Sequence, residues 1–483
     1  MTVATRKRLV LVATILGSSM AFLDALVVNV ALPTIDHEFG LGLAGEQWIF
    51  LSYSLMLAAL YLPAGALGDR YGYANTFVVG VSGFAVASVL AGAAQSGEML
   101  IAARVLQGMF GALLTPGSLA LLRATYRDEA GRAIGLWTAW TGIATAAGPA
   151  VGGALVAAAS WRLIFILNIP LAIVTVAAAL VSRDTCETER RHRHFDIGGN
   201  VLGALGIGAL VWALVEGPRN GFGSGTALAG FTISAIALTA FFVVESRVAD
   251  PMLPLSLFRI RELAVANLAT FFVYAALGSA LFFIVLFAQS VLGYSPPRAG
   301  FLLTPISLAL LLLAARFGRA SDRIGPRPFL VGGPVLIGVG LLWLSRLDAG
   351  SSYWTDVLPP LIVFSVGLAA TVPPITSTAL KPAPERLSGI ASGVNTTVSR
   401  VGQLLAVAGL GIIVSLVFGS SEGGPFELGS RSPDELADAA RAFQAAMWAA
   451  AGLAFLGALV SGIGLPRRVR ARTEANPPAR GSG

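Results

Sequence analysis

Charge is what this chain has least of. Of its 483 residues, 12% are Asp, Glu, Lys or Arg and 55% are hydrophobic. A soluble globular domain carries about twice that share of charge, so the composition and a mean hydropathy of +0.76 exclude an ordinary soluble protein. Cysteine is nearly missing: Cys186 stands alone, which excludes an intrachain disulfide. Only two lysines occur, Lys7 and Lys381, and only three histidines. Two of these, His192 and His194, fall in "RDTCETERRHRHFD" (183–196), where no thiol or carboxylate cluster has ligand spacing; a solvated loop is expected there and no metal site. No intramembrane His pair, nucleophile motif or cofactor fingerprint is present, which argues against an enzyme. The net charge of +7 could suit nucleic acid. In so apolar a chain it is better explained by Arg-rich loops on one side of a membrane, and no nucleic-acid partner is expected.

What is abundant is long apolar runs. A bilayer-crossing helix needs about 20 mostly apolar residues. Fourteen runs qualify: 9–30, 48–67, 76–94, 99–122, 134–157, 163–181, 197–215, 227–244, 263–290, 299–315, 328–344, 357–376, 390–418 and 442–463. Backbone groups in lipid must be satisfied within the segment, so these are predicted to be helices. The fold class that follows is an all-α polytopic membrane protein. The first run follows Arg6, Lys7 and Arg8 as a signal peptide would, but it has no convincing small-residue cleavage site and is expected to stay as a helix.

Alternate connections are unequal in charge. One set carries Arg70, Arg123, Arg127, Arg132, Arg183, Arg190, Arg247, Arg259, Arg319, Arg323, Arg327, Lys381 and Arg386. The other holds isolated residues such as Arg162, Arg219, Arg298, Arg346 and Arg431. Positive loops stay inside. Both termini are therefore expected in the cytoplasm, with the protein in the cell membrane.

The chain also repeats itself. "GALGDRYG" (65–72) joins spans two and three, and "GRASDRIG" (318–325) joins spans ten and eleven; both read G-x-x-x-D-R-x-G. Each connects the second and third helices of a group of six. Parallel six-helix repeats around a central site are a transporter plan. The expected organisation is a six-helix bundle over 1–182, two inserted helices with their loops over 183–262, a second six-helix bundle over 263–465, and a basic tail over 466–483. In the repeated motif, glycines allow a tight turn, while Asp69 and Arg70, like Asp322 and Arg323, are placed to make ion pairs that latch one face. Gly65 and Gly72 frame the first copy.

Charges inside the spans are costly and are functional candidates. Asp24, in "AFLDALVVNVALP", lies fifteen residues past Leu9, which puts it roughly 22 Å along the helix and about 8 Å from the far edge of a ~30 Å core. Arg104, in "LIAARVLQGMFG", lies five residues past Met99 on a span of opposite direction, also about 8 Å from that edge. Equal depth on two helices of one bundle makes a pair, or a shared hydrated cavity, reasonable. An acid held between desolvation and a neighbouring cation is the kind of group that takes up and releases protons. Arg400 falls near mid-membrane on span thirteen with no obvious acidic partner. Glu216 and Glu98 fall near helix ends, where water is available. Span five, "GIATAAGPAVGGALV" (142–156), sets Pro149 among Gly142, Gly148, Gly152 and Gly153, a small-residue face for close helix packing or a leak-proof hinge.

Taken together these motifs resemble the major facilitator superfamily, in its fourteen-helix drug:proton antiporter branch. The resemblance spans essentially the whole chain. It rests on "GALGDRYG", on "LIAARVLQG" with Arg104, Gln107 and Gly108, on "GIATAAGPAVGG", on "LDALVVNVALP" and on "WRLIFILNIP" (161–170). The chain departs from the family in Tyr73 and Ala74, where basic residues follow the loop motif, and in Leu26, where a threonine is usual. The resemblance implies two six-helix bundles plus two extra central helices. It also implies proton-driven export of lipophilic or cationic small molecules; the charges in the spans make Asp24, Arg104, Arg400 and Glu216 the coupling or substrate candidates. Its partners would be substrate, protons and membrane lipid, its energy source the proton gradient rather than a cofactor, and a monomer would suffice. A metabolite exporter or an uptake symporter on the same fold remains the alternative.

Overall fold

A computed structural model describes residues 2–126, 129–182, 197–248, 253, 255–382, 388–419, 424–429 and 432–466. Within its helices the side chains of residues 3, 4, 62, 65, 66, 69, 130, 131, 146, 197, 388 and 389 are outside that description. The histidine-bearing loop, Arg127, Arg386, Arg431 and the tail from 467 onward also lie outside the described residues. The described chain is helical throughout, with no strand.

Among the described residues, fourteen helices are long and apolar enough to cross a membrane. They are, in order, Thr5–Phe39, Gly42–Tyr61, Tyr73–Gly92, Gly97–Tyr126, Arg132–Ala158, Leu163–Val181, Gly198–Asn220, Gly225–Arg247, Arg261–Ser290, Pro296–Ile324, Arg327–Leu344, Tyr353–Leu380, Ile390–Phe418 and Pro433–Gly464. All fourteen predicted spans are present, and several run past the apolar stretch because polar residues cap them. The helix of span one continues to Phe39 and closes at Gly40, whose φ of 62° is the left-handed region glycine favours. Span fourteen begins at Pro433 under a capping box in which Ser432 and Glu435 satisfy each other's backbone N–H groups. The repeated motif ends each time in the same turn: Gly72 has φ 90° and Gly325 φ 94°, which explains the shared final glycine.

Spans one to six pack as one bundle and spans nine to fourteen as another; spans seven and eight pair with each other, and span seven leans on spans two and thirteen. Because the number of spans is even, both termini share one face, here called the terminal face. Toward the opposite face the bundles meet along two seams. In one, Gln47 Nε2 of span two donates to the Val407 carbonyl of span thirteen at 2.7 Å, with span seven packed alongside through Trp48 and Trp212, 5.4 Å between rings. In the other, spans five and ten touch backbone to backbone. A Cβ on Gly153 would lie 2.4 Å from the Pro296 carbonyl, and one on Gly300 would lie 2.1 Å from the Pro149 carbonyl. Between the seams, Asn29 Nδ2 donates to the Leu281 carbonyl at 2.8 Å and Gln289 Nε2 to the Val30 carbonyl at 2.9 Å. Toward the terminal face span five and span ten part. A Cβ on Gly135 or Gly142 would meet nothing, and Leu308, Leu311 and Leu312 are exposed. The molecule is thus closed at the opposite face and open between the bundles at the terminal face.

Candidate functional site

The deepest polar cluster lies inside the N-terminal bundle. Asp24 of span one forms an ion pair with Nη1 of Arg104 on span four. Asp24 is 2% exposed and Arg104 is fully buried. Their partners come from spans two, three and six. Nη1 of Arg104 also donates to Gln107 Oε1 at 2.9 Å, one turn along the same helix, and its Nε donates to the Ile49 carbonyl at 3.2 Å. The guanidinium lies over the Tyr53 ring, 4.2 Å from its centre, a favourable placement for a cation in a dry site. Tyr53 is anchored in turn by its hydroxyl, which donates to the Ala21 carbonyl at 2.9 Å. Oδ1 of Asp24 accepts from Gln107 Nε2 and Asn168 Nδ2, both at 3.3 Å, and both amides also donate to Ser88 Oγ. Nη2 of Arg104 and Oδ1 of Asn168 have no partner.

Local sequence explains how five helices reach one point. Arg104 and Gln107 are three apart and so share a helix face. Gly108 follows, and a Cβ there would lie 2.5 Å from the Tyr53 carbonyl, so its absence lets span two close over the cluster. Asn168 belongs to "WRLIFILNIP", whose Trp161 and Arg162 hold the same segment to span one: Trp161 Nε1 and Arg162 Nη2 donate to Glu38 at 2.6 Å each.

The structure brings Asp24, Arg104 and Gln107 together and leaves the other candidates elsewhere. Arg400 is half-buried on span thirteen, in the other bundle. Glu216 accepts from Trp48 Nε1 at 3.2 Å and from Asn220, so it ties span seven to span two. Glu98 is exposed in the first turn of span four, which Ser96 caps. The span-five glycines serve two different neighbours. Gly148 and Gly152 face Leu23, Leu26 and Val27 of span one, Gly153 and Pro149 face span ten, and Gly142 faces open space. In the loop motifs, Arg70 is exposed and stacks on Tyr71, 5.3 Å to the ring centre; the side chains of Gly65 and Asp69 are outside the description. Asp322 pairs with Lys381 Nζ at 2.6 Å, at the end of span twelve in the same bundle, with both side chains more than half exposed. Arg323 is exposed beside Arg316 and Arg319, around an open depression of about 430 Å³. Among the described residues no group of three His, Cys, Asp or Glu comes together.

Sequence reasoning passed over Ser88, Asn168 and Tyr53. Asn168 carried a signal: it is an amide in the middle of an apolar run, within a motif already singled out. Ser88 and Tyr53 carried none, since both residue types are common in membrane helices.

Fourteen apolar helices, twelve of them in two bundles with a buried ion pair in one and an opening between them at one face, define a multi-pass membrane transporter. The family model of the Major Facilitator Superfamily matches residues 14–407, and the chain belongs to that family. It is 35% identical over 406 residues to the tetracenomycin C resistance and export protein of Streptomyces glaucescens, covering 84% of this chain and 75% of that one. It is 36% identical over 410 residues to the multidrug resistance protein Stp of Mycobacterium tuberculosis (84% and 76%). It is 34% identical over 412 residues to the methylenomycin A resistance protein of Bacillus subtilis (84% and 87%). Among solved structures it resembles a bacterial homologue of the lysosomal transporter Spinster in an inward-facing, unoccupied conformation. That match has TM-score 0.69 and 17% identity, and covers 96% of this chain and 99% of that one. A peptide transporter in complex with sulfate is similar at TM-score 0.68 and 15% identity (94% and 92%). At such identities these structures speak to the fold alone.

Proposed function

We propose that the protein exports drugs, antibiotics or similar lipophilic compounds across the cell membrane in exchange for protons, by alternating access, with Asp24 carrying the proton. The observation that carries this reading is the wholly buried Asp24–Arg104 pair. Relatives named for antibiotic resistance and export support the direction.

The cluster can hold either charge state. With Asp24 ionised, the pair is neutral overall. When a proton reaches Asp24, Arg104 keeps its Gln107, Ile49 and Tyr53 contacts, and the carboxyl keeps two amide donors. With both termini in the cytoplasm, the present state faces inward. Substrate binds from the cytoplasm or inner leaflet as Asp24 gives up its proton inward. The halves 1–182 and 263–465 then rock about the two seams. Substrate leaves outside, and a proton enters at Asp24. An inside-negative potential drives each inward charge by about 2.3 kcal/mol per 100 mV. The loop motifs at 65–72 and 318–325 would hold the inner face shut in the alternate state.

The test is reconstitution in liposomes with an imposed pH gradient, a pH-sensitive dye and a panel of lipophilic antibiotics and dyes. Substrate-dependent proton movement opposite to substrate, lost in Asp24→Asn, is the expected result. Unchanged coupling in the variant would remove Asp24 from the role. Proton and substrate moving the same way would replace export with uptake.

A further inference from the structure

We propose that Arg400, with the Thr397 hydroxyl one turn away, forms the polar end of the substrate site and selects lipophilic compounds bearing an acidic group, a carboxylate or an ionised phenol. This rests on the efflux reading above and narrows its substrate class.

Three observations converge. First, position. Residues 397, 400, 404, 407 and 411 lie on one face of span thirteen by helical spacing. Its outer part packs on span two, where Gln47 meets Val407 and the Gly411 backbone. The two helices run antiparallel. Seven residues toward the terminal face leads from Val407 to Arg400 and from Gln47 to Ser54, beside Tyr53, about 10 Å deeper. There the close seam ends: Ser392 and Thr396 are exposed and Arg400 is half-buried. Arg400 thus lies at the inner edge of the seam, where the space between the bundles begins. Second, unmet valence. Among the described residues Arg400 makes no hydrogen bond and no ion pair. Its charge acts on the hydroxyls of Tyr53 and Tyr274. Oγ1 of Thr397 is buried without a partner. A guanidinium in a membrane span without a counter-ion is costly and calls for one, and its planar fork fits a carboxylate through two parallel hydrogen bonds. Third, elimination. Asp24, the acid that could have received a cationic substrate, is enclosed by Arg104, Gln107 and Asn168. The charge open to the space between the bundles is therefore positive.

Tyr53 joins this site to the proton site: one ring face lies under Arg104, and its neighbour Ser54 is level with Arg400 by the count along the two helices. An anion drawn to Arg400 changes the field at the Tyr53–Arg104–Asp24 chain, which gives substrate and proton a short physical link.

The test uses three probes with one aromatic body: 1-pyrenebutyrate, its methyl ester, and pyrenebutyltrimethylammonium. Binding to the purified full-length protein in neutral detergent is read by pyrene fluorescence. Efflux of the same probes is read in liposomes. Wild type is expected to bind the acid about tenfold more tightly than the ester, the preference of a charge-assisted contact, and the cation no better than the ester. Arg400→Gln should abolish that preference by weakening acid binding to the level of the ester. Arg400→Lys should keep part of it, and Thr397→Val should lower it by a smaller factor. Equal binding of acid and ester by wild type, or the same preference in Arg400→Gln, overturns the proposal and leaves Asp24-dependent efflux standing. Displacement of the acid by phosphatidylglycerol but not by phosphatidylcholine would make the site a lipid-headgroup site and equally overturn it. Loss of ester binding in Arg400→Gln along with the preference would mark a structural role and do the same. If proton exchange fails for every probe while the acid preference holds in wild type, the efflux reading fails and the anion site survives.

Discussion

In the N-terminal bundle, spans one, two, three, four and six converge on a buried ion pair with its own cage of hydrogen bonds. In the C-terminal bundle the comparable buried polar contact joins spans nine and thirteen, and it is neutral. Asn395 Nδ2 donates to Asn267 Oδ1 at 3.2 Å and to Thr270 Oγ1 at 3.0 Å. Among the described residues, the charge deep in that half, Arg400, faces the gap instead of a partner. Repetition of the scaffold, marked by Gly72 and Gly325 in the same turn, therefore does not extend to the chemistry. A charge locked inside one bundle suits a proton that must be shielded from substrate. A charge left open on the other suits a substrate that comes and goes. On this reading the halves divide the work: one stores the coupling charge and the other meets the cargo.

Substitutions in the two halves put that contrast at risk, beginning with the largest effect. Arg104→Leu strands a buried carboxylate and should cost about 3–5 kcal/mol, read as a large fall in the thermal unfolding midpoint in detergent. Asp24→Asn in the same chain should restore most of it. A C-terminal substitution at Arg400 with an equal effect would erase the contrast. Next comes the seam. Gly300→Val drives a side chain into the Pro149 carbonyl and should cost about 1–3 kcal/mol through overpacking, with transport falling alongside. Gly142→Val, in open space, should leave the unfolding midpoint where it was. Asn395→Leu should cost about 1 kcal/mol for each hydrogen bond lost; a loss matching Arg104→Leu would show that the neutral contact matters as much as the charged one. Smallest is Asp322→Ala. Its exposed pair with Lys381 should be worth about 0–1 kcal/mol and vanish in high salt. A larger loss would reveal a network that the paired contact alone does not account for.

Much of this architecture is legible in the order of the residues. Asp24 and Arg104 can be matched because depth in a membrane is a one-dimensional quantity, counted along each helix at a fixed rise. Asn168 is visible as an amide in an apolar run, though not as a partner of Asp24. Ser88 and Tyr53 are invisible, because what matters is which way each points. The glycines of span five look like a single face and prove to divide: Gly148 and Gly152 serve span one, while Gly142 and Gly153, eleven residues apart and so on one side of the helix, meet empty space and span ten because the bundles part between them.

The number of spans, their order and the internal repeat follow from the amino-acid sequence with no help from packing. Each rests on local apolar run length or on a motif of a few residues, and water and lipid enforce both whatever the neighbours do. Which side chains meet is a matter of tertiary structure: that Gln107, Ser88 and Asn168 share one site with Asp24, that Glu216 ties the inserted pair to Trp48 of span two, and that Arg400 is left without a counter-ion. The rotation of a helix about its own axis, and the identity of the helix beside it, come from packing between residues far apart in the chain. No local pattern carries that information.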